Sequence, residues 1–590
     1  MAGDVTASSR RRFVQGLALA GGAAAAGIPR LAAGAARETP SGEAFDLTLR
    51  AMPINITGRR RMATAVNGSV PGPILRFREG DTVTLNVTNR LSETTSIHWH
   101  GLRLPADMDG VPGLSFRGIM PGETFTYRFP IRQAGTYWYH SHSGMQEQTG
   151  LYGALILEPR KPPPYGYDRE HVILLSDWTD EDPMRVVANL KMQGAYYNFH
   201  QRTLGTFAAD ARARGLAATW RDWTMWGRMR MSPTDIADVT GATYTYLVNG
   251  QPPAANWTGL FRPGERVRLR FINASSMTTF DVRIPGLSLA VVAADGSDVE
   301  PVRVDQFRIG VAETWDVIVQ PPDDAAYTIF AQAEDRTGYA RATLAPRTGM
   351  TGSIPPMDPR PMRTMADMGM AGMAMGGMKM GGMEMNGGAG VGMDMTPSAT
   401  AGMSMPATHP APPVVNADGV DPARLAGGIN VDNVAMETKS RQTEAGAGLD
   451  GDGRRSLVYA DLEALEPDPD TRPATRDIVF HLTGNMERWT WGFDGEKFSQ
   501  AGPIRVRLGE RVRFVLINDT MMEHPIHLHG FLFSLENGNA GRLPLKHTVN
   551  VKPGERVSFV FTADTPGRWA FHCHLLYHME TGMFRTVLVA

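Results

Sequence analysis

Residues 569–583 read Trp569-Ala-Phe-His-Cys-His-Leu-Leu-Tyr-His-Met-Glu-Thr-Gly-Met583 and contain the only cysteine of the chain. Successive side chains of a β-strand point to opposite faces, so we expect Cys573 on one face and His572 and His574 on the other. One strand could then serve two metal sites. A lone histidine is usually packed or at the surface, but several histidines beside the single cysteine favour metal ligation.

Two more side chains follow this strand and are expected to fold back onto the sulfur of Cys573. They are His578 and Met583. A thiolate combined with imidazoles and a weak thioether is typical of a blue-copper electron-transfer site. The alternative for Met583 is an ordinary place in the hydrophobic core.

The composition limits the classes of protein to consider. The chain has 590 residues and a net charge of −2, with 59 basic and 61 acidic residues. At about 150 residues per domain, three or four domains are expected. The absence of a basic excess argues against a nucleic-acid partner. A single cysteine excludes disulfides within the chain, and we expect a monomer.

The N-terminus has the pattern of an export signal. Ser9-Arg-Arg-Arg-Phe-Val14 precedes a Gly/Ala-rich apolar run from residue 16 to residue 28. The pattern resembles a twin-arginine signal peptide over residues 1–36, and the run is too short for a membrane anchor. No other segment approaches the roughly 20 apolar residues of a membrane span. We therefore expect a periplasmic protein without stable membrane insertion.

The rest of the chain contains three copies of one unit, each with alternating apolar and polar residues between Gly, Pro and Asn turns. This alternation predicts an all-β protein made of antiparallel sandwiches. We place the first unit at 45–160, the middle unit at 165–346, a linker at 347–470 and the last unit at 471–590. Residues 180–226 lack strand periodicity, and we expect a helical or loop insertion there.

Paired histidines occur at equivalent places in the first and last units and are missing from the middle unit. The pairs share a strand face because each is separated by one residue. They are His98 and His100, His140 and His142, His527 and His529, and His572 and His574. One ion cannot use eight imidazoles, so a metal cluster is indicated, suited to binding and reducing dioxygen. His524 lies an odd number of residues from His527, so it is expected to face Cys573.

These motifs together resemble the multicopper oxidases, and specifically the periplasmic copper-resistance oxidases of the CopA/PcoA type. The resemblance rests on His98-Trp-His-Gly, His140-Ser-His, His524-Pro-Ile-His-Leu-His-Gly and His572-Cys-His-Leu-Leu-Tyr-His-Met-Glu-Thr-Gly-Met, and on Arg228-Met-Arg-Met-Ser-Pro-Thr-Asp-Ile-Ala-Asp-Val-Thr-Gly241. It implies three cupredoxin-like Greek-key domains and copper cofactors: one type 1, one type 2 and a type 3 pair.

The resemblance also implies a role for each ligand. Type 1 copper is expected at His524, Cys573, His578 and Met583, type 2 copper at His98 and His527, and the type 3 pair at His100, His140 and His574 on one ion and at His142, His529 and His572 on the other. Electrons are expected to pass from Cys573 through its chain neighbours His572 and His574 to the cluster. Asp109 matches an acid that assists proton delivery in the family, although an Asp-Gly pair is commonly only a turn.

Residues 350–405 contain sixteen methionines among Gly, Ala and Asp. Such Gly content predicts a mobile, disordered linker rather than a packed element. Linkers are usually only spacers, but thioether sulfur selects Cu(I), so Cu(I) binding is the favoured hypothesis. The candidate Cu(I) ligands are Met368, Met370, Met373, Met375, Met378 and Met380 in the tract and Met521 and Met522 before His524. For Met521 and Met522, simple core packing is a comparable alternative.

The sequence therefore predicts an enzyme that couples one-electron oxidation of Cu(I) to four-electron reduction of dioxygen to water, in periplasmic copper resistance. One alternative is a laccase-like oxidase of small phenols, with the methionine tract as a copper reserve. Another is a periplasmic copper-sequestering protein whose oxidase activity is incidental. A zinc hydrolase is the most distant reading, because zinc sites do not need a cysteine between two histidines that serve a second site.

Overall fold

The computed structural model describes residues 44–370, 425 and 428–590. Within this part of the chain, strands form six sheets that pack in pairs as three sandwiches. The prediction of an all-β fold is confirmed. The proposed signal peptide at 1–36 and Met373, Met375, Met378 and Met380 lie outside the described residues. No helix among the described residues has the length and apolar character needed to cross a bilayer.

The first unit is a sandwich of two four-stranded sheets, with orders β2-β1-β4-β6 and β3-β8-β7-β5. Its strands are β1 (Ala44–Asn55), β2 (Arg60–Val66), β3 (Leu75–Arg78), β4 (Thr82–Asn89), β5 (His98–His100), β6 (Thr124–Pro130), β7 (Gly135–His140) and β8 (Tyr152–Glu158). In β4 every second residue is buried, as the alternation predicts. Strand β5 pairs with β7 so that His98 lies opposite His140.

The middle unit has sheets of six and five strands, with orders β10-β9-β12-β17-β14-β15 and β11-β19-β18-β13-β16. Its strands are β9 (Arg169–Thr179), β10 (Tyr244–Val248), β11 (Trp257–Leu260), β12 (Val267–Asn273), β13 (Phe280–Arg283), β14 (Leu289–Ala294), β15 (Ser297–Val304), β16 (Gln306–Ile309), β17 (Thr314–Val319), β18 (Tyr327–Ala333) and β19 (Tyr339–Ala345).

The insertion between β9 and β10 is helical. It contains α1 (Pro183–Met192), α2 (Leu204–Arg214) and α3 (Leu216–Arg228). The carboxylate of Asp182 accepts a hydrogen bond from the Met184 amide at the start of α1, and Pro183 occupies the first turn, where its missing N–H costs nothing. The loop from residue 229 to residue 243 follows α3 and leads into β10.

The last unit has sheets of orders β21-β20-β23-β28-β25-β26 and β22-β30-β29-β24-β27. Its elements are β20 (Arg476–Asn485), β21 (Thr490–Phe493), β22 (Ile504–Val506), β23 (Arg511–Asn518), β24 (His524–Leu528), β25 (Phe533–Leu535), β26 (Leu545–Lys546), β27 (Thr548–Val551), β28 (Arg556–Thr562), β29 (Gly567–Cys573), α4 (Leu576–Thr581) and β30 (Phe584–Val589). Strand β29 pairs with β24, and His572 lies opposite His527. Strand β29 ends at Cys573, so His574 lies just beyond the strand and not within it as expected, and α4 follows.

The described parts of the expected linker differ from a flexible spacer. Met365, Met368 and Met370 are buried, and so are Leu457 and Leu462. The backbone of Gly369 accepts a hydrogen bond from the amide of Glu437. Residues 347–370 and 428–470 have little regular structure, yet these apolar contacts and backbone bonds hold them against the sandwiches.

Candidate metal centre

The first site brings together a sulfur atom and two imidazoles, and we call His524, Cys573 and His578 the cysteine site. The Sγ atom of Cys573 is 3.5 Å from Nδ1 of His524 and 3.9 Å from Nδ1 of His578. The two Nδ1 atoms are 3.3 Å apart. All three side chains are fully buried. Three donor atoms thus converge on one point. From the sequence, His524 and His578 were expected beside the sulfur of Cys573, and the structure brings these three residues together.

Oxygen atoms hold the outer edges of both imidazoles at the cysteine site. The hydroxyl of Thr520 lies 2.7 Å from Nε2 of His524, and Oδ2 of Asp238 lies 2.8 Å from Nε2 of His578. Trp491 also stacks on His578, with ring centroids 3.8 Å apart. Because a proton on Nε2 satisfies these oxygens, both Nδ1 atoms are left with lone pairs directed at the sulfur.

Burial sets the protonation of the cysteine site. Desolvation raises the pKa of the Cys573 thiol far above its ordinary value. It lowers the pKa of His524 well below the usual range, and the nearby His578 acts in the same direction. A neutral imidazole can bind a metal ion, and a buried thiolate needs a bound cation to be stable. The site therefore suits a metal ion that displaces the thiol proton.

The second site is the histidine cluster, which we define as the eight paired histidines of the first and last units. The structure brings all eight together, with His98 stacked on His529 and His100 stacked on His527 at centroid distances of 3.8 Å. Donor atoms lie within 4.8 Å of one another in the groups His98, His527 and His529; His100, His140 and His574; and His142, His529 and His572. The last two groups have the same members as the two triads that the resemblance implies.

Backbone and side-chain oxygens orient the rings of the histidine cluster. Nδ1 lies within hydrogen-bond distance of a carbonyl oxygen in His98, His140, His527 and His572, and of the Asp109 carboxylate in His529. An N–H on Nδ1 satisfies each of these oxygens, so the Nε2 lone pair of each ring is free to face the centre of the cluster.

The inward nitrogens of the cluster show that its residues fit metal ions. Buried ring nitrogens have no hydrogen-bond partner in His98, His100, His140, His142, His527 and His574. Desolvation, followed by repulsion from neighbouring imidazoles, lowers the pKa of His100, His527 and His529 well below the usual range. Neutral, unpaired nitrogens buried side by side are costly unless they bind a cation. Imidazole donors with one thiolate site suit copper.

Asp109 lies between the first and last units at the edge of the histidine cluster. Its carbonyl oxygen is 2.8 Å from Nδ1 of His98, and its Oδ2 is 2.9 Å from Nδ1 of His529. The carboxylate is buried, and its Oδ1 lies 3.3 Å from Nδ1 of His98 without forming a hydrogen bond to it. Asp109 can therefore orient His98 of the first unit and His529 of the last unit at once, and its Oδ1 can accept a hydrogen bond from a water molecule.

Three residues that lie beside the donor groups were not identified from the sequence. Glu147 places Oε2 2.6 Å from Nδ1 of His140 and is buried; Asp238 caps His578; His547 lies beside His100 and His527. Asp238 lies within residues 228–241, but no spacing rule connects it to His578, which is 340 positions later in the chain. Glu147 follows His142 closely, so its nearness to a ligand was the available signal.

The predicted methionine ligands are all buried where the structure describes them. Met583 is fully buried, and its carbonyl oxygen accepts a hydrogen bond from the amide of Cys573. Met521, Met522, Met368 and Met370 are each at most 3% exposed. Their sulfur atoms are thus packed in the core in this conformation, and they are not a surface site for an ion arriving from solvent.

Two cavities adjoin the histidine cluster at His142, which is its one partly exposed ring. A cavity of about 1030 Å³ is lined by His142 together with Glu93, Asp180 and Glu181. A second cavity, of about 380 Å³, is lined by His142 and Met579. A small molecule such as dioxygen could therefore reach the cluster beside His142 without passing the cysteine site.

Comparisons with known proteins agree with this arrangement. Multicopper oxidase sequence profiles match residues 48–162, 215–348 and 471–590. Copper resistance protein A of Escherichia coli is 54% identical, over 99% of this chain and 99% of its own length. Multicopper oxidase MmcO of Mycobacterium tuberculosis is 30% identical, over 92% of this chain and 86% of its own length.

Solved structures share the fold. The structure of Fet3p, described as a multicopper oxidase that functions in iron import, aligns with a TM-score of 0.62 at 19% identity, covering 93% of this chain and 90% of Fet3p. A laccase from Botrytis aclada aligns with a TM-score of 0.60 at 21% identity, covering 94% of this chain and 88% of the laccase. Both neighbours support three cupredoxin-like sandwiches.

Proposed function

Because the chain belongs to the multicopper oxidase family, we propose that it oxidises Cu(I) to Cu(II) in the periplasm as part of copper resistance. Its cofactors are copper ions, and dioxygen is its electron acceptor. The name of the Escherichia coli relative supports the role in copper resistance. Export by the twin-arginine pathway follows from the pattern around Arg10–Arg12.

Each site takes one part of the reaction. The cysteine site, with Met583, holds the type 1 copper; His98 and His527 hold the type 2 copper; His100, His140 and His574, and His142, His529 and His572, hold the type 3 pair. When bound, the copper ions would supply one-electron acceptance at the cysteine site and reduction of dioxygen to water at the histidine cluster. Cys573 links the two sites because His572 and His574 are its neighbours in the chain. Asp109 holds His98 and His529 in place and delivers protons for the reduction of dioxygen.

The observation that carries the choice of Cu(I) is where the described chain stops inside the methionine tract and where it resumes after the tract. Gly369, in the last described part of the tract, accepts a backbone hydrogen bond of 3.0 Å from Glu437, which follows the tract. The amide of Ala435 donates to Oδ1 of Asp519, 2.9 Å away. The next residue, Thr520, contacts Nε2 of His524. The described residues at both of these points are therefore connected by hydrogen bonds to the segment that contains the cysteine site.

A second thioether-bearing segment approaches the cysteine site from the middle unit. The loop 229–243 contains Met229 and Met231, and Asp238 of the same loop contacts His578. The amide of Arg363 donates to the carbonyl of Pro233, 2.9 Å away, which joins this loop to the start of the tract. Thioethers suit Cu(I) and carboxylates suit the product Cu(II). His524 and His578 are fully buried, so a bulky phenol cannot contact either ring.

The proposal is tested by oxygen uptake with two substrates, Cu(I) and a substituted phenol. We expect a higher kcat/KM for Cu(I) than for the phenol. Phenol oxidation should also become faster when Cu(II) is added, because the phenol reduces Cu(II) to Cu(I) at the protein surface and the enzyme then oxidises this Cu(I). The matched variant replaces Met373, Met375, Met378 and Met380 by leucine, which keeps size and hydrophobicity but removes the sulfur. Its Cu(I) oxidation should fall more than its phenol oxidation.

Two results would contradict the proposal. Faster turnover on the phenol without added copper would indicate a laccase-like enzyme. Copper content well above about four ions per chain, together with copper resistance that survives Cys573→Ser, would indicate a sequestering protein instead.

A further inference from the structure

A ninth imidazole lies at the wall of the histidine cluster. His547 is fully buried between β26 and β27. Its ring centroid is 4.8 Å from that of His100 and 5.5 Å from that of His527. One nitrogen from each of these rings lies within 4.8 Å of the other two. His547 belongs to none of the four histidine motifs, and the ligand sets of the proposed function do not use it.

The surroundings of His547 decide which ring nitrogen carries the proton. Nδ1 is 3.0 Å from Oγ1 of Thr548 and 3.6 Å from Oδ2 of Asp295, whereas Nε2 is buried without a hydrogen-bond partner. A proton on Nε2 would leave a buried donor unsatisfied and would direct the Nδ1 lone pair at a carboxylate. The proton therefore belongs on Nδ1, and Nε2 keeps its lone pair.

The first unit leaves room for Nε2 of His547 at Gly101, the residue directly after His100. A Cβ atom on Gly101 would lie 2.7 Å from Nε2 and 2.4 Å from Cδ2 of His547. Gly101 also has φ +81°, which other residues rarely adopt. Only glycine at this position permits the imidazole edge to sit against the backbone beside the cluster.

The middle unit supports the other side of the ring. Oδ2 of Asp295 accepts hydrogen bonds of 3.1 Å from the amides of His547 and Thr548, and Nζ of Lys546 is 3.1 Å away. A carboxylate near Nδ1 with a free Nε2 is the usual surrounding of a histidine that binds a metal ion. A histidine that only fills space would be expected to pair its second nitrogen as well.

We propose that His547 is a third imidazole donor to the copper ion held by His98 and His527. The inference rests on the proposed copper cluster, because it adds one ligand to the type 2 position. Cu(II) favours a tetragonal arrangement of nitrogen and oxygen donors, so two imidazoles leave positions that a third can fill.

The test counts imidazoles on the type 2 ion by pulsed EPR of the copper-loaded protein with ¹⁵N-labelled histidine. We expect three strongly coupled imidazoles in the unaltered protein and two in His547→Gln. A chelator should remove one copper ion per chain at least about tenfold faster from the variant than from the unaltered protein, as changes in the surroundings of a metal ligand commonly do. His171→Gln is the control, because His171 bonds the carbonyl of Leu260 far from the cluster.

Each outcome separates this inference from the proposed function. Two imidazoles in the unaltered protein, or an unchanged signal in His547→Gln, overturn the third donor and leave the oxidase intact. If the loaded protein has no type 2 signal at all, the proposed cluster fails and the inference fails with it. Should the variant not fold, the count in the unaltered protein decides alone.

Discussion

The outer and middle units of this protein share one architecture but contribute different chemistry to the metal sites. Among the residues that the structure describes, every histidine and cysteine of the convergent donor groups belongs to the first or last unit. The middle unit instead sends carboxylates to these donors, with Asp238 on His578 and Asp295 beside His547. A unit that contributes no donor atoms to these groups still holds donor residues of its neighbour in place.

A repeated unit without a metal site of its own need not be a passive spacer. Donor atoms bind the ion, but their ring orientation and tautomer depend on the oxygen at the opposite nitrogen. At the cysteine site that oxygen comes from the middle unit for His578 and from the last unit for His524. Variants of both kinds of residue can therefore separate binding from orientation.

The largest effect is expected from Cys573→Ser in the last unit. The change removes the sulfur donor and should abolish the intense visible absorption of the type 1 site, with substrate-driven oxygen uptake falling to the uncatalysed rate. The EPR signal of the type 2 copper should remain, because the histidine cluster keeps its ligands. Substantial Cu(I)-dependent oxygen uptake by this variant would show that electrons enter by another route.

Asp109→Asn tests an outer-unit carboxylate. Loss of the acid should slow oxygen reduction by roughly 100-fold, the typical contribution of a positioned proton donor, while asparagine retains the shape of the side chain. The measurement is oxygen consumption at full copper loading, with a solvent isotope effect as a second readout. Asp107→Asn, at an exposed position in the same turn, is the control. Unchanged oxygen reduction at full loading would rule out the proton-delivery role.

Asp238→Asn tests a middle-unit carboxylate and should have a smaller effect. Removal of a negative charge beside His578 destabilises the oxidised ion, so the reduction potential of the type 1 copper should rise, on the order of 50–100 mV. A redox titration followed by visible absorption measures it. Asp235→Asn, in the same loop but paired with Asn198 rather than with a ligand, should leave the potential unchanged. Equal shifts in both variants would show a general field effect of the loop.

The smallest effect concerns stability alone. Burial raises the pKa of Asp235 from 3.8 to about 6. The folded protein therefore holds this proton in a range where the unfolded chain releases it, and stability falls as pH rises from about 4 to about 6. Asp235→Asn cannot ionise, so relative to the unaltered protein it should gain up to about 3 kcal/mol between these pH values. Thermal unfolding at pH 4 and pH 7 measures the gain, and a pH-independent difference would contradict it.

The repeated units and the paired histidines were readable from the sequence because each signal is local. Alternation over a few residues predicts a strand, and one intervening residue places both imidazoles of His98 and His100 on one face. The face change between His524 and His527 was also readable, and the structure places His524 with Cys573. The fold class was predictable for the same reason, since three local patterns repeat.

The orienting carboxylates were not readable because their partners are distant in sequence. Asp238 is 340 residues from His578, and Asp295 is 252 residues from His547. Only the docking of the middle unit against the last unit creates these contacts, and no pattern within either segment encodes it. The burial of Met368 and Met370 was missed for a related reason, because composition predicted a spacer while tertiary contacts fix its ends.

The pairing of Asp109 with His529 spans 420 residues of chain, which has a consequence for biosynthesis. A ribosome-bound polypeptide cannot form the trinuclear pocket until its final strands have emerged and docked. Copper affinity is thus acquired in a single late step, so tight metal retention would mark completed molecules, and truncated products would remain unable to trap a toxic, redox-active ion.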